Sequence, residues 1–325
     1  MQFWKRMTLV LGLAVASTAA VTAHAAEYPA GPVRIVHGYP GGLIDVASRV
    51  LADALSATWK QGVIVDAKPG GNEMIAGDFA AKSAGDGQTL YVGTETTFAN
   101  NPNLYAKMPF DPALDLLPVS ELFEVYFGLV VRADLPVQNL REFIDLMKKD
   151  GAKYAYASSG VGGPLHLAME DFRRKAGFEI THVPYKVLPQ VMQDLLGGRI
   201  DAVFLSAGTV LPFVAKGQLK MLAVTSASRL KSAPAIPTFA ELGYASVDYR
   251  TSVGLAVPKG TPAAIVQKIQ ADVRTIVHSK AYIERVLAPS DIDPIASSPA
   301  QFGAQMAARR AAAQKLIQSL NVKLD

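Results

Sequence analysis

Cysteine is absent from this sequence of 325 residues. Its absence excludes disulfide bonds, thiolate metal ligands, a cysteine nucleophile and a lipid-modified N-terminal cysteine. A long run of one charge is missing too, because 32 basic residues are balanced by 28 acidic ones and the basic residues form no block. The sequence therefore predicts no surface of the kind that binds nucleic acid.

Catalytic and metal-binding motifs are equally scarce. The histidines that follow residue 25 are His37, His166, His182 and His278, and their spacing matches no H-E-x-x-H or similar metal site. There is no G-x-G-x-x-G or Walker lysine pattern, and Ser158 is not part of a G-x-S-x-G elbow. We expect no catalytic residue, metal or cofactor, with a periplasmic hydrolase as the alternative. His182 is expected to be structural, and His166 either lines a binding cleft or braces it.

The first residues have the pattern of a secretory signal peptide. Lys5 and Arg6 precede an apolar stretch over 7–16, and Ala23-His24-Ala25 forms an A-x-A cleavage pattern. The alternative is a transmembrane anchor, which needs about 20 apolar residues in a row. We therefore expect residues 1–25 to be removed and the mature protein to be located in the periplasm.

The remaining 300 or so residues suit two domains. Short β-rich runs alternate with amphipathic helical patterns, which favours an α/β fold of parallel sheets covered by helices. The predicted strands are 33–37, 63–66, 90–93, 128–131, 154–157, 179–183, 201–205, 221–225 and 253–257. Helix starts are predicted at Thr261-Pro262 and at Ser298-Pro299, where Gln301 completes a capping box. Gly197 is predicted to end the helix that reaches Leu196.

Three loops follow predicted strands at the carboxyl ends, where α/β sheets bind ligands. The first loop (38–45) contains Gly41 and Gly42, which let backbone N–H groups approach a ligand, and the helix after it adds a positive dipole end. These features predict an anion-binding site, with Asp45 bracing the turn. The second loop (94–101) offers hydroxyls and amides, and the third loop (158–164) is a second amide-rich helix start. An ordinary βα turn is the alternative for the first loop, and Ser/Thr/Asn clusters like that of the second loop mark loops in general. A nucleotide-binding loop is the alternative for the third, although its nucleotide motifs are missing.

An ordered series of motifs is similar to one known family. The motifs include Pro40-Gly41-Gly42-x-x-Asp45, Lys68-Pro69-Gly70, Asn101-Pro102-x-Leu104-Tyr105, His182-Val183-Pro184-Tyr185-Lys186, Asp194-Leu195-Leu196-Gly197-Gly198 and Pro258-x-Gly260-Thr261-Pro262. From Tyr28 to about Leu316 the chain resembles the periplasmic substrate-binding receptors of tripartite tricarboxylate transporters, also called Bug-type or TctC-type proteins. The resemblance implies a two-domain α/β periplasmic binding protein of the Venus-flytrap, type II-like kind, with a ligand cleft between the domains. Domain 1 would combine residues 26–126 with 253–325, and domain 2 would span 127–252.

The resemblance also implies a function and a set of binding residues. The function is capture of a small carboxylate and its delivery to integral membrane transporter subunits by a protein that is expected to be monomeric. The ligand is expected to be held by loop amides and bridging waters. The expected ligand-binding residues are Tyr39, Gly41, Gly42, Leu43, Thr94, Thr97, Ser158, Gly162, Gly163, Ser206 and Arg250.

Departures from the family pattern bear on the ligand. Leu205 stands where an aspartate is common, so an acceptor for the ammonium group of an acidic amino acid is missing. Arg250 lies near Ser252, where a tryptophan is usual, and could pair with a second carboxylate. The alternative for Arg250 is a solvated surface arginine near the hinge. These features favour a dicarboxylate or an aromatic carboxylate without an amino group, with an acidic amino acid as the alternative.

Overall fold

The structure is a computed structural model that describes residues 28–247 and 249–324. The predicted signal peptide (1–25) lies outside the described residues. Within those two ranges, no helix combines the length and the apolar character that a bilayer span needs.

Strands form where the sequence predicts them. The strands are β1 (Val33–His37), β2 (Val63–Ala67), β3 (Thr89–Thr94), β4 (Leu116–Arg132), β5 (Ala155–Ser158), β6 (Thr181–Pro184), β7 (Ala202–Ser206), β8 (Leu219–Val224) and β9 (Arg250–Pro258). Every predicted strand overlaps one of them, because β-branched runs bounded by turn residues are a local signal. The main difference in length is β4, which has 17 residues where only 128–131 was predicted.

Helices cover this sheet. The helices are α1 (Leu43–Trp59), α2 (Met74–Ala81), α3 (Asn101–Leu104), α4 (Pro112–Asp115), α5 (Leu140–Asp150), α6 (Pro164–Ala176), α7 (Leu188–Leu196), α8 (Ala207–Ala215), α9 (Ala263–Val277), α10 (Lys280–Tyr282) and α11 (Pro299–Leu320). Short helical turns of other geometry lie at Thr96–Asn100, Gly151–Lys153, Ile283–Leu287 and Ala288–Ser290.

The sheet is mixed, and its strand order is β2-β1-β3-β9-β4-β7-β5-β6, with β8 also paired to β4. The pairings of β1 with β2 and β3, and of β5 with β6 and β7, are parallel as predicted. The expectation of parallel pairing is wrong for β4 and β9, which run antiparallel to their neighbours. An antiparallel pair of strands needs no crossover helix between them. A long strand can therefore pass from one half of the sheet to the other and pair with strands of both halves.

Strand β4 joins the two halves of the sheet. Its residues from Leu116 to Tyr126 pair with β9, and its residues from Phe127 to Arg132 pair with β7 and β8. The pairing partners therefore change between Tyr126 and Phe127. The division of the chain into two mobile domains stays a prediction.

Most helix ends follow the local signals. Ser298 and Gln301 form the predicted capping box at the start of α11, and Gly197 ends α7 after Leu196. The predicted cap at Thr261 is wrong, because its hydroxyl donates to the carbonyl oxygen of Pro258 at 2.7 Å and α9 begins without a side-chain cap. The N-cap position of α9 is Pro262, one residue later, so Thr261 belongs to the turn before the helix.

Candidate ligand-binding site

A central cavity lies where β4 and β9 pass between the two halves of the sheet. It contains about 550 Å³ of space, a figure that includes space open to solvent. Its lining residues are Tyr39, Gly42, Leu43, Ile44, Thr94, Val125, Phe127, Ser159, Pro164, Leu165, Leu188, Leu205, Ser206, Thr209 and Thr251. Five of the predicted binding residues are among them: Tyr39, Gly42, Leu43, Thr94 and Ser206.

Four helices begin at this cavity. The first residues of α1, α6 and α7, and the residue before α8, all line it. In none of the four does the side chain of the N-cap residue cap the helix, although Ser290 Oγ accepts from the backbone N–H of Gly208 in α8. Uncapped first turns leave backbone N–H groups without intrahelical partners, and each helix adds a positive dipole end. The helices have 17, 13, 9 and 9 residues, so each dipole is well developed. Their convergence favours an anion such as a carboxylate.

The first loop is braced from behind by Asp45. Gly41 has φ +76 and donates its backbone N–H to Asp45 Oδ2 at 3.2 Å. His37 Nδ1 accepts from the backbone N–H of Tyr39 at 3.2 Å, so its Nε2 carries the proton that is donated to Asp45 Oδ1 at 3.1 Å. Burial lowers the pKa of His37, in agreement with a neutral ring. Asp45 therefore supports the loop, as predicted, and the cavity wall is formed by Tyr39, Gly42 and the start of α1.

The second loop is organised around a residue that the sequence interpretation missed. The carboxylate of Glu73 accepts from the backbone N–H groups of Thr94 and Thr97 and from the hydroxyl of Thr97, at 2.7–3.2 Å. Burial raises the pKa of Glu73 to about 7, against the effect of these hydrogen bonds. Thr97 therefore faces Glu73 and not the cavity, whereas Thr94 does line it. The available signal was an acidic residue two positions after Gly71, at the end of the glycine turn.

The third loop is braced by histidines. Ser158 Oγ lies 2.7 Å from His182 Nε2 and also accepts from the backbone N–H of Gly160 at 3.1 Å. Gly162 donates its backbone N–H to His166 Nδ1 at 3.1 Å, so His166 braces the loop. The rings of His166 and His182 lie 4.3 Å apart, and burial followed by the proximity of His166 lowers the pKa of His182 to about 4.

The cavity wall at the third loop is made by neighbours of the predicted residues. Ser158, Gly162 and Gly163 lie behind that wall, and Ser159 and Pro164 are the residues of this loop that line it. The backbone N–H of Gly163 donates to the carbonyl oxygen of Gly160 at 3.2 Å, which closes the loop on itself.

Arg250 is placed elsewhere. Its guanidinium pairs with Glu124 at 3.3 Å, and both residues line a separate surface depression with Gln305 and Arg309. The next residue, Thr251, does line the central cavity. Gly41 is not among the lining residues either, and a Cβ atom at this position would lie 2.9 Å from Pro189 Cγ.

The polar groups of the cavity wall are neutral. Among the described lining residues none has an ionisable carboxylate, ammonium, guanidinium or imidazole group. Thr251 Oγ1 is buried and has no hydrogen-bond partner within the described part of the chain. In the same part of the chain, no group of three or more His, Cys, Asp or Glu side chains is placed to hold a metal ion.

Contacts tie the two halves together beside the cavity. Asn72 donates its side-chain N–H to the carbonyl oxygen of Val161 in the third loop. On another side, the backbone N–H of Gly208 donates to Ser290 Oγ at 2.8 Å. Residues from both halves of the sheet are therefore in contact on two sides of the cavity.

Comparisons with known proteins agree on one family. Residues 47–322 match the model of the tripartite tricarboxylate transporter family receptor. The UPF0065 protein in the gbd 5' region of Cupriavidus necator is 35% identical over 311 residues, which covers 95% of this chain and 92% of that protein. Protein BugT of Bordetella pertussis is 32% identical over 299 residues, which covers 91% of each chain.

Solved structures agree as well. The periplasmic binding protein BugD is 26% identical, with a TM-score of 0.86 over 91% of this chain and 99% of that one. The R. palustris protein Rpa4515 with adipate is 29% identical, with a TM-score of 0.87 over 91% of this chain and 99% of that one. The predicted periplasmic-binding-protein fold is confirmed.

Proposed function

Because the chain belongs to the family of tripartite tricarboxylate transporter receptors, we propose that it captures a small carboxylate in the central cavity and delivers it to membrane transporter subunits. The observation that carries the carboxylate is the convergence of four helix starts on this cavity. Oriented backbone N–H groups bind an anion without a cationic side chain. The protein then acts as a periplasmic receptor, not as an enzyme, and works as a monomer.

The neutral lining also bears on the alternative ligand. An acidic amino acid has an ammonium group that needs an acceptor inside a closed site, because an unpaired buried charge is costly. Leu205 contributes an apolar side chain to the cavity, and no described lining residue has a carboxylate. A carboxylate without an amino group is therefore the better ligand.

A thermal-shift screen tests the proposal. Hexanoate and 4-methylbenzoate should raise the melting temperature in a saturable way, whereas hexanamide and 4-methylbenzamide should not. A ligand at 100 times its Kd adds about 2.7 kcal/mol, which is worth about 5 °C for a protein of this size. Recovery of the unchanged ligand by chromatography distinguishes binding from hydrolysis. A panel of mono- and dicarboxylates without any saturable shift, or equal shifts with the amides, would contradict carboxylate recognition.

We also propose that binding closes a hinge at β4 and β9. Residues 26–126 with 253–325 would form one domain and residues 127–252 the other, and the four helix starts come from both. Only closure brings all four onto one ligand. Small-angle scattering should show a smaller radius of gyration with saturating ligand than without it. Superimposable profiles would refute the hinge and leave carboxylate binding intact.

A further inference from the structure

Glu73 is held in an unusual position. Only 2% of its surface is exposed, and its backbone has φ +66, a left-handed conformation that costs a non-glycine residue about 1 kcal/mol or more. It precedes α2 but makes no side-chain cap for that helix. Its side chain instead packs beneath the first loop, where a Cβ atom at Gly38 would lie 3.0 Å from Glu73 Cγ. The side chain is thus turned inward, toward the second loop.

Its carboxylate occupies what would otherwise be an anion-binding site. We define the Thr94/Thr97 site as the backbone N–H groups of Thr94 and Thr97 together with the hydroxyl of Thr97. All three groups donate to Glu73, the hydroxyl at 2.7 Å and the N–H groups at 3.1–3.2 Å. Two backbone donors and one hydroxyl are the kind of set that binds a carboxylate from a ligand. Here the chain supplies that carboxylate itself.

The Thr94/Thr97 site adjoins the central cavity. Thr94 lines the cavity directly, as does Tyr39, whose hydroxyl lies 3.3 Å from Thr96 Oγ1 in the same loop. Burial and then the negative charge of Glu73 raise the pKa of Tyr39. A second ligand carboxylate that reached this wall would meet donors already in use and a like charge.

The remaining wall is largely apolar. Phe127, Leu165 and Leu205 line it together with Val125 and Leu188. Apolar ligand surface gains about 25 cal/mol per Å² on leaving water against such a wall, whereas a carboxylate loses its hydration there without finding a partner.

We propose that Glu73 is a built-in occupant of the Thr94/Thr97 site, so that the cavity selects ligands with one carboxylate and an apolar body over dicarboxylates. This inference rests on the proposed function and specifies the ligand class of the same cavity. The helix starts hold the single carboxylate, and the apolar wall receives the rest of the ligand.

Matched ligand pairs test the selection in the wild-type protein. Each pair exchanges a methyl group for a carboxylate: hexanoate with adipate, and 4-methylbenzoate with benzene-1,4-dicarboxylate. Calorimetry at about pH 8 should give at least about tenfold tighter binding of the monocarboxylate in a pair that binds. Equal or tighter binding of the dicarboxylate overturns this inference and leaves the proposed function standing. If no carboxylate in these pairs or in the thermal-shift panel binds, the proposed function fails.

Variants of Glu73 test the occupant itself. Glu73→Gly suits the left-handed backbone and vacates the Thr94/Thr97 site, so the ratio of adipate affinity to hexanoate affinity should rise at least about tenfold over that of the wild type. Glu73→Gln fills the same space without the charge and should bring no gain. The exposed Asp53→Asn removes one negative charge from the surface and serves as the control. Equal gains in relative adipate affinity in Glu73→Gly and Glu73→Gln, or no gain in either, would overturn the proposal that Glu73 occupies the site. If Glu73→Gly does not fold, the selectivity of the wild-type protein between the matched ligands decides.

Discussion

A substitution at Thr251 is expected to raise the stability of the protein and to weaken its ligand binding. Thr251 lies on β9 opposite Val125 of β4, is 4% exposed and is one of the residues that line the central cavity. Its hydroxyl is buried and has no partner in the described part of the chain. Thr251→Val keeps the shape and β-branching of the side chain. A buried unpaired hydroxyl costs about 1–3 kcal/mol, so the variant should be about 1 kcal/mol more stable than wild type without ligand.

The same variant should bind ligand less well. A hydrogen bond to a charged carboxylate contributes about 1.5–3 kcal/mol, so losing it should raise Kd by roughly 10- to 100-fold. Urea denaturation measures the stability, and calorimetry with hexanoate measures the binding. Thr251→Ser retains the hydroxyl and should keep most of the affinity.

A paired threonine provides the control. The hydroxyl of Thr225 is also buried but accepts from the backbone N–H of Phe127 at 2.9 Å and donates to the carbonyl oxygen of Tyr249 at 2.6 Å. Thr225→Val should therefore cost about 1–3 kcal/mol of stability, the opposite sign from Thr251→Val. Affinity within twofold of wild type in Thr251→Val would refute the assignment of its hydroxyl to the ligand. A loss of stability there would show that the hydroxyl is already paired.

Three other perturbations follow from the structure. Burial raises the pKa of Glu73 to about 7 from 4.5, so between these pH values the folded protein holds a proton that the unfolded chain has released. The free energy of unfolding should therefore fall by about 3 kcal/mol as the pH rises from 4.5 through 7. Urea denaturation at about pH 5 and pH 8 should show that Glu73→Gln lacks this fall, and an equal fall in both proteins would refute it. Gly41→Val adds a strained side chain against Pro189 and should weaken hexanoate binding at least about tenfold, whereas Gly62→Ala, in open space, should not. Arg250→Ala should leave the affinity for hexanoate within about twofold of wild type, because the guanidinium of Arg250 lies outside the cavity. A larger loss would show that Arg250 takes part in binding.

Much of the fold follows from local sequence. The strands, the capping box at Ser298 and the helix end at Gly197 each depend on residues a few positions apart, and the structure contains all of them. The directions of β4 and β9 do not follow in this way. They depend on which distant strands become neighbours in the sheet. The alternation of apolar and polar residues is the same in both directions along a strand, so it does not indicate whether the strand runs parallel or antiparallel to its neighbours.

The candidate site also combines features that are local in the sequence with features that depend on tertiary packing. Glycine-rich loops before helices identify the binding edge of the sheet, because backbone freedom and helix dipoles are local properties. Which side chain faces the ligand is decided by packing. Successive residues of a strand point to opposite faces, so Arg250 and Thr251 could not be distinguished until it was known what lies on each side of β9. Glu73 became part of the site in the same way, because only the folded chain brings its carboxylate to the donors of Thr94 and Thr97.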